Sequence, residues 1–493
     1  MSPLIALLAI SLGQQGTSTL PDTVAGKRLD EFIVAFNTKD KKTVQDMVGR
    51  SFAPSALKIL PKEEWASRIA TAFNIAPISV DEVLKSSDNL IVVRIKSKSI
   101  QPLGIRLDLE PESPFAIVGA RMASPSELTD SKAPRKYTKW AKTGELATMI
   151  RDDYKLPGLV IGSKVTSKKP DIASVGLRST QGPEVIDNTD RIWVGAIGKL
   201  MTATLVAKMI EDKKLSWQTP LSAALPGISM LDDYKAITIE QLVHHQGNLT
   251  QHPMITGTHA EVAISGADSG MQARKFLVSV VLNTPPNKQP NTQFSDTDMD
   301  FVVAAHVLER LIGRDYEWLL NRYVFTPMKL RTVLIQPLCT DGQIGSPGSV
   351  FGHMRGDVGG YTPYLIPGSK LELAMAPAGS CISCSMEDLL KFAEFHLKGL
   401  QGSSEILTSE SYQAINGDMG GKGLPCGWAL NPTFADEACR VISSNNGIFA
   451  TDLAIWPDAG IITAVSTNCA PAKRPSPAVQ AMIAMKDRIE KKN

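Results

Sequence analysis

Charge of one sign is missing from this chain. Its 52 Lys and Arg are offset by 50 Asp and Glu, which leaves a net charge of +2 over 493 residues. The lysines are scattered, so the basic stripe that a nucleic-acid surface requires is excluded. Cysteine is absent before Cys339. The others are Cys381, Cys384, Cys426, Cys439 and Cys469. An even number allows disulfides, but spacing assigns none. Cys381-Ile-Ser-Cys384 has no second pair and no histidine at ligand spacing. That argues against zinc and for a disulfide or two buried thiols. Histidine is scarce, with seven in all, and His244, His245, His252 and His259 match no ligand pattern. Long apolar runs are missing as well. Residues 1–12 form a short one, too short to cross a bilayer. It looks like a secretory signal without a basic start, and the alternative is a buried N-terminal strand. The expectation is a signal peptide over residues 1–20 and a secreted or periplasmic protein, with a cytoplasmic location as the alternative.

What is present falls into two blocks. Residues 28–36 carry helical apolar spacing, and residues 41–48 extend it after a break. Residues 91–95, 105–109 and 115–118 are rich in β-branched side chains and read as strands. Residues 22–122 therefore read as a small α+β domain. Residues 123–143 are polar with two prolines and read as a linker. The second block, residues 144–493, opens with a helix at 144–153 and an apolar strand at 156–162. It closes with a strand at 461–468 and a helix at 476–491.

The second block is organised around Val194-Gly195-Ala196-Ile197-Gly198-Lys199. The residues that follow, to Glu211, are apolar on nearly every face, which marks a buried helix. Lys199 is thus a lone cation in the first turn of a core helix. An ammonium there is costly unless it is paired or used in chemistry. Four later stretches are distinctive. Ile237-Thr-Ile-Glu-Gln-Leu-Val-His-His-Gln-Gly-Asn-Leu249 comes first. Pro290-Asn-Thr-Gln-Phe-Ser-Asp-Thr-Asp-Met-Asp-Phe301 leads into an apolar helix closed by Gly313. Residues 377–392 hold a glycine turn, a cap at Ser385 and a helix. Residues 441–457 include Ile442-Ser443-Ser444 and Asn445-Asn446-Gly447.

In order and spacing these stretches resemble the serine beta-lactamase and penicillin-binding-protein superfamily, in its class C, DD-peptidase and esterase branch. The resemblance implies an α+β fold: an antiparallel sheet flanked by helices, an all-helical lobe, and a cleft between them. The family's first motif is Ser-x-x-Lys. Here Lys199 supplies the lysine, and Ala196 stands at the serine. The second motif puts Asp296 on the family's tyrosine and Asp298 on its asparagine. A shift by one residue would instead bring Ser295 to the proton-shuttle position. The third motif falls on Ile442-Ser443-Ser444, or with a deletion on Asn445-Asn446-Gly447. Neither supplies the family's histidine or lysine. His245 falls on a histidine of the family. The layout of residues 22–122 resembles the nuclear-transport-factor-2-like domain that precedes some of these hydrolases.

By this resemblance the catalytic positions are Lys199, Asp296 and Asp298. The binding positions are Gly195, Ala196, Ser295, Asn446, Gly447 and Ala450, with the amides near Ala196 and Ala450 forming an oxyanion frame. Carboxylates beside Lys199 would favour its charged form, and a charged lysine is a poor general base. Asp296-x-Asp298-x-Asp300 is not a calcium loop. Phe301 and Val307 stand where that loop needs glycine and a carboxylate. Asp300 reads as a helix N-cap. The expectation is a catalytically degenerate hydrolase fold with a small carbonyl, carboxylate or peptide-like ligand in its cleft. The alternative is an active hydrolase with rebuilt Lys/Asp/His chemistry. No metal, cofactor, nucleic acid or transmembrane segment is expected, and the sequence leaves the oligomeric state open.

Overall fold

The computed structural model describes residues 20–59, 61–70, 72–99, 103–123, 137–250, 259–286, 297–336, 348, 350–356, 360–364, 369–403, 405–416, 426, 429–430, 439–471 and 476–492. The chain divides into two compact units, Met1–Ser131 and Lys132–Asn493. The division lies inside the polar stretch 123–143. The apolar run at 1–12 and Cys339 lie outside the described residues. No described helix is long and apolar enough to cross a membrane.

The first unit begins with helices Val24–Asn37, Lys41–Ser51, Pro54–Ile59 and Lys62–Ala70. Thr23 and Asp40 cap the first two, each accepting from backbone amides of the following turn. A four-stranded antiparallel meander follows: Ser79–Ser87, Leu90–Lys96, Leu103–Leu109 and Ile117–Ala123. Leu29, Phe32 and Phe36 share one core with Ile91, Val93, Ile105 and Leu107. The first strand has no fully buried residue, which fits an edge position and explains why it carries no apolar alternation.

The second unit is built on a six-stranded antiparallel sheet. Its order is Ala429–Leu430, Arg440–Asn445, Ala450–Trp456, Ile461–Thr467, Gly158–Val165, Asp171–Gly176. Alternation along the strands sorts side chains onto two faces. Leu159, Ile161, Ala454 and Trp456 share a core with Leu146 and Ile150 of the helix Thr143–Tyr154. Met482 and Met485 of the closing helix Pro477–Lys492 join the same core. Val160, Leu453 and Ile455 belong instead to a core with the helix Met386–Leu400 and the central helix Ile197–Glu211. The sheet is therefore covered on both faces, as the family resemblance implies.

The helix Met299–Ile312 packs on the central helix, and Gly270–Val281 packs on Met299–Ile312, as a helical lobe. A buried Arg274 lies 3.6 Å from Glu309 and 3.1 Å from Glu317. Cys381, Cys384, Cys426, Cys439 and Cys469 are free and buried, so the Cys-x-x-Cys pair is two thiols.

Candidate functional site

Three glycines set the base of the site. The short strand Ile192–Trp193 pairs with Ile382–Cys384 and delivers the chain to Gly195, whose φ is +56°. A Cβ on Gly379 would lie 1.7 Å from the Gly195 carbonyl oxygen. One on Gly198 would lie 2.5 Å from the Gly379 Cα. Only glycine lets these backbones meet this closely, and Gly379 also needs its φ of +93°. The central helix starts one residue after Ala196, which holds the cap position without a capping side chain.

Lys199 follows in the first turn, 5% exposed. Its Nζ lies 2.8 Å from Asp298 Oδ1 and 5.7 Å from the centre of the Phe301 ring. Asp298 occupies the N-cap position of Met299–Ile312, but its side chain makes no capping bond there. The Met299 amide donates to Thr297 Oγ1 instead, at 3.2 Å. This corrects the expectation that Asp300 caps the helix. Asp300 lies inside the first turn and is fully buried. A Cβ on Gly247 would come within 2.5 Å of its Oδ1. The helix starts earlier than the spacing of the three aspartates suggested, so the cap falls on Asp298. Ser295 and Asp296 lie outside the described residues. His245 is buried with φ of +58°, its ring 5.0 Å from Phe301. Phe301 is thus in reach of both His245 and Lys199.

The strand Arg440–Asn445 closes the other side. Ser444 Oγ accepts a hydrogen bond from the Ala196 amide at 2.9 Å. Of the two alignments of the third motif, Ile442-Ser443-Ser444 is the one that meets Ala196. Asn446 and Gly447 form the tip of the hairpin to Ala450–Trp456. Asn446 Oδ1 accepts from the amides of Ile448 at 3.2 Å and Phe449 at 2.8 Å, and Gly447 has φ of +90°. The turn uses the Asn446 acceptor, and the role of these two residues as ligand contacts stays an expectation. Ala450 opens the next strand, buried and paired with Asn445 and Thr467. Thr451 Oγ1 donates to the Trp193 carbonyl at 2.6 Å and ties this strand to the approach to Gly195.

Two titratable groups of this unit are shifted by their surroundings. Burial pushes the Asp452 carboxyl up to about 6, against a hydrogen bond from Ser443, its cross-strand neighbour. His244 lies between the carbonyls of Glu240 at 2.8 Å and Ala414 at 2.9 Å. Burial pulls its pKa down, but Cys426 and the two carbonyls outweigh that and raise it to about 9. Sequence reasoning undervalued Ser444 and missed Gly379 and Phe301. Ser444 was visible in one alignment, but its partner lies 248 residues away. The arrangement offers no hydroxyl at position 196, an amide already donating, and a lysine already paired.

A beta-lactamase family model matches residues 145–484. The chain is 21% identical over 345 residues to penicillin-binding protein 4 of Amycolatopsis lactamdurans, covering 65% of this chain and 82% of that protein. It is 22% identical over 333 residues to an unguisins hydrolase of Aspergillus campestris, covering 64% of this chain and 56% of that protein. The chain thus spans little more than half the length of the fungal relative. The crystal structure of a class C beta-lactamase from Rhodobacter sphaeroides matches with a TM-score of 0.53 and 16% identity, over 71% of this chain and 99% of that one. Likeness at that identity concerns the fold. The matched residues take in both the central helix and the hairpin that carries Ser444, and the chain belongs to the beta-lactamase family of serine-hydrolase-fold proteins.

Proposed function

We propose that this chain is a catalytically degenerate member of the family, which keeps its cleft to bind a small carbonyl, carboxylate or peptide-like ligand. One observation carries the reading: Ala196 stands at the nucleophile position beside a Lys199 ion-paired with Asp298 at 2.8 Å. A covalent acyl intermediate needs an attacking oxygen and a base to take its proton. The first is absent, and the second is engaged. The test is release of product from a chromogenic cephalosporin, a p-nitrophenyl ester and a D-amino acid amide. The unmodified chain is expected to release no more than its Lys199→Met variant. Turnover that depends on Lys199 contradicts the reading.

A second reading, rebuilt Lys/Asp/His chemistry, draws support from Phe301, in reach of both Lys199 and His245. It predicts turnover that disappears in Asp298→Asn and in His245→Gln. We also propose that the first unit, helices followed by a four-stranded meander, is a nuclear-transport-factor-2-like domain. Export through the apolar run at 1–12 is a further proposal. N-terminal sequencing of the protein made in cells would find a start near residue 20, in the exported fraction, if it holds, and an uncleaved run at residues 1–12, in the cell fraction, if it does not.

A further inference from the structure

We propose that Ser444 is the specificity-determining residue of this pocket: its hydroxyl takes the place beside the Ala196 amide that a ligand's acyl oxygen would take, so acyl and carboxylate ligands bind more weakly than they would with that hydroxyl removed. The inference rests on the reading of the pocket as a former acyl-transfer site.

A backbone N–H at the start of a buried helix is a fixed donor aimed at negative charge. The Ala196 amide is such a donor, and it carries one proton. In this structure that proton goes to Ser444 Oγ at 2.9 Å. A ligand oxygen can have it only by displacing the serine.

Two further observations show that the serine is seated firmly. The first is the space it fills. A Cβ on Gly195 would lie 2.1 Å from Ser444 Oγ and 2.6 Å from Ser444 Cβ. The Ser444 side chain therefore occupies room that exists because residue 195 is glycine. The second is the support behind its strand. Ser444 pairs with Thr451, whose hydroxyl donates to the Trp193 carbonyl at 2.6 Å and lies 2.9 Å from Ser466 Oγ. Trp193 in turn donates from Nε1 to the Ser380 carbonyl at 3.0 Å. The neighbouring strand and the approach to Gly195 are thus tied together behind the contact.

One hydrogen bond of ordinary net strength corresponds to roughly a 3- to 10-fold change in affinity. Benzylpenicilloate, the hydrolysed carboxylate form of benzylpenicillin, is titrated into the unmodified chain, Ser444→Gly and Ser444→Ala. Calorimetry should show it binding both variants about 3- to 10-fold more tightly. Ser444→Ala keeps the strand's Cβ and gives the answer if Ser444→Gly fails to fold. Equal or weaker binding by the variants overturns the proposal. So does a lack of binding by all three chains, because a freed amide then holds nothing. A second arm compares acylation by a fluorescent penicillin. Ala196→Ser/Ser444→Gly should react at least about 10-fold faster than Ala196→Ser alone, and equal rates count against the plug. Lys199-dependent turnover by the unmodified chain would sink the degenerate reading. It would leave the affinity comparison at Ser444 standing as a separate result.

Discussion

The interior of the central helix and its mouth treat polar groups differently. In the interior, Thr202 Oγ1 lies 2.8 Å from Tyr316 Oη and 2.7 Å from the Pro377 carbonyl. Thr204 Oγ1 meets His396 Nε2 at 3.2 Å, and His396 Nδ1 meets Asn416 Oδ1 at 3.1 Å. These buried groups satisfy one another and fix how the lobe packs on the helix. At the mouth the groups have the character of reaction machinery: an amide at a helix start, a lysine in the first turn, a third-motif strand. Yet they too are satisfied within the chain, Ala196 by Ser444 and Lys199 by Asp298. The contrast teaches that the frame persists because folding needs it. On the proposed reading, the groups at the mouth are free of that demand and serve as contacts within the chain.

The largest effect that would sharpen this contrast lies in the interior. Arg274→Met leaves Glu309 and Glu317 without their cation inside the lobe. Unfolding in urea should show a loss of about 3–5 kcal/mol. A loss below about 1 kcal/mol would break the claim that the interior is held by its polar network.

The next effect is pH. Burial pushes His396 down to about 4, from an ordinary 6.5. The folded state thus binds its proton less readily than the unfolded state. The stability tied to the neutral ring is fully present above pH 6.5 and is lost as pH falls from 6.5 towards 4. The loss is on the order of 3 kcal/mol. His353, lowered chiefly by burial, acts with the same sign. Melting temperature should fall over that window, and His396→Asn should flatten the slope.

At the mouth the expected changes are smaller. Lys199→Met removes the ion pair, but Asp298 is one-third exposed and can turn to water. The cost should be roughly 1–2 kcal/mol in urea unfolding. A loss as large as that of Arg274→Met would erase the distinction between the two regions. Smallest of all, Asn446→Ala removes the acceptor at the hairpin tip and should cost about 1 kcal/mol. Benzylpenicilloate affinity should stay unchanged, whereas a change would place Asn446 among the ligand contacts.

How much of this was legible follows from what each feature depends on. The central helix announced itself because it is apolar on every face. The helix closed by Gly313 and the cap at Ser385 were legible because caps are local chemistry. The strands at 91–95, 105–109 and 115–118 followed from β-branched runs, and Asp171–Gly176 of the larger sheet was not legible. The edge strand Ser79–Ser87 was not legible either, because neither of its faces is fully buried. Three aspartates two residues apart gave no local ground for choosing the cap, and helix geometry settled it on Asp298. Asn446-Gly447 suits a turn as well as a motif, and strand pairing puts it at the hairpin tip. The Ser444 contact depends on a strand and a helix brought together from distant parts of the chain, so no neighbouring residue signals it.

The most direct measurement is the intact mass of the unmodified chain after long incubation with a fluorescent penicillin and with an activated ester. Degeneracy at Ala196 predicts an unchanged mass with both reagents. A mass gain equal to the acyl group, mapped to a residue of the cleft, would contradict it.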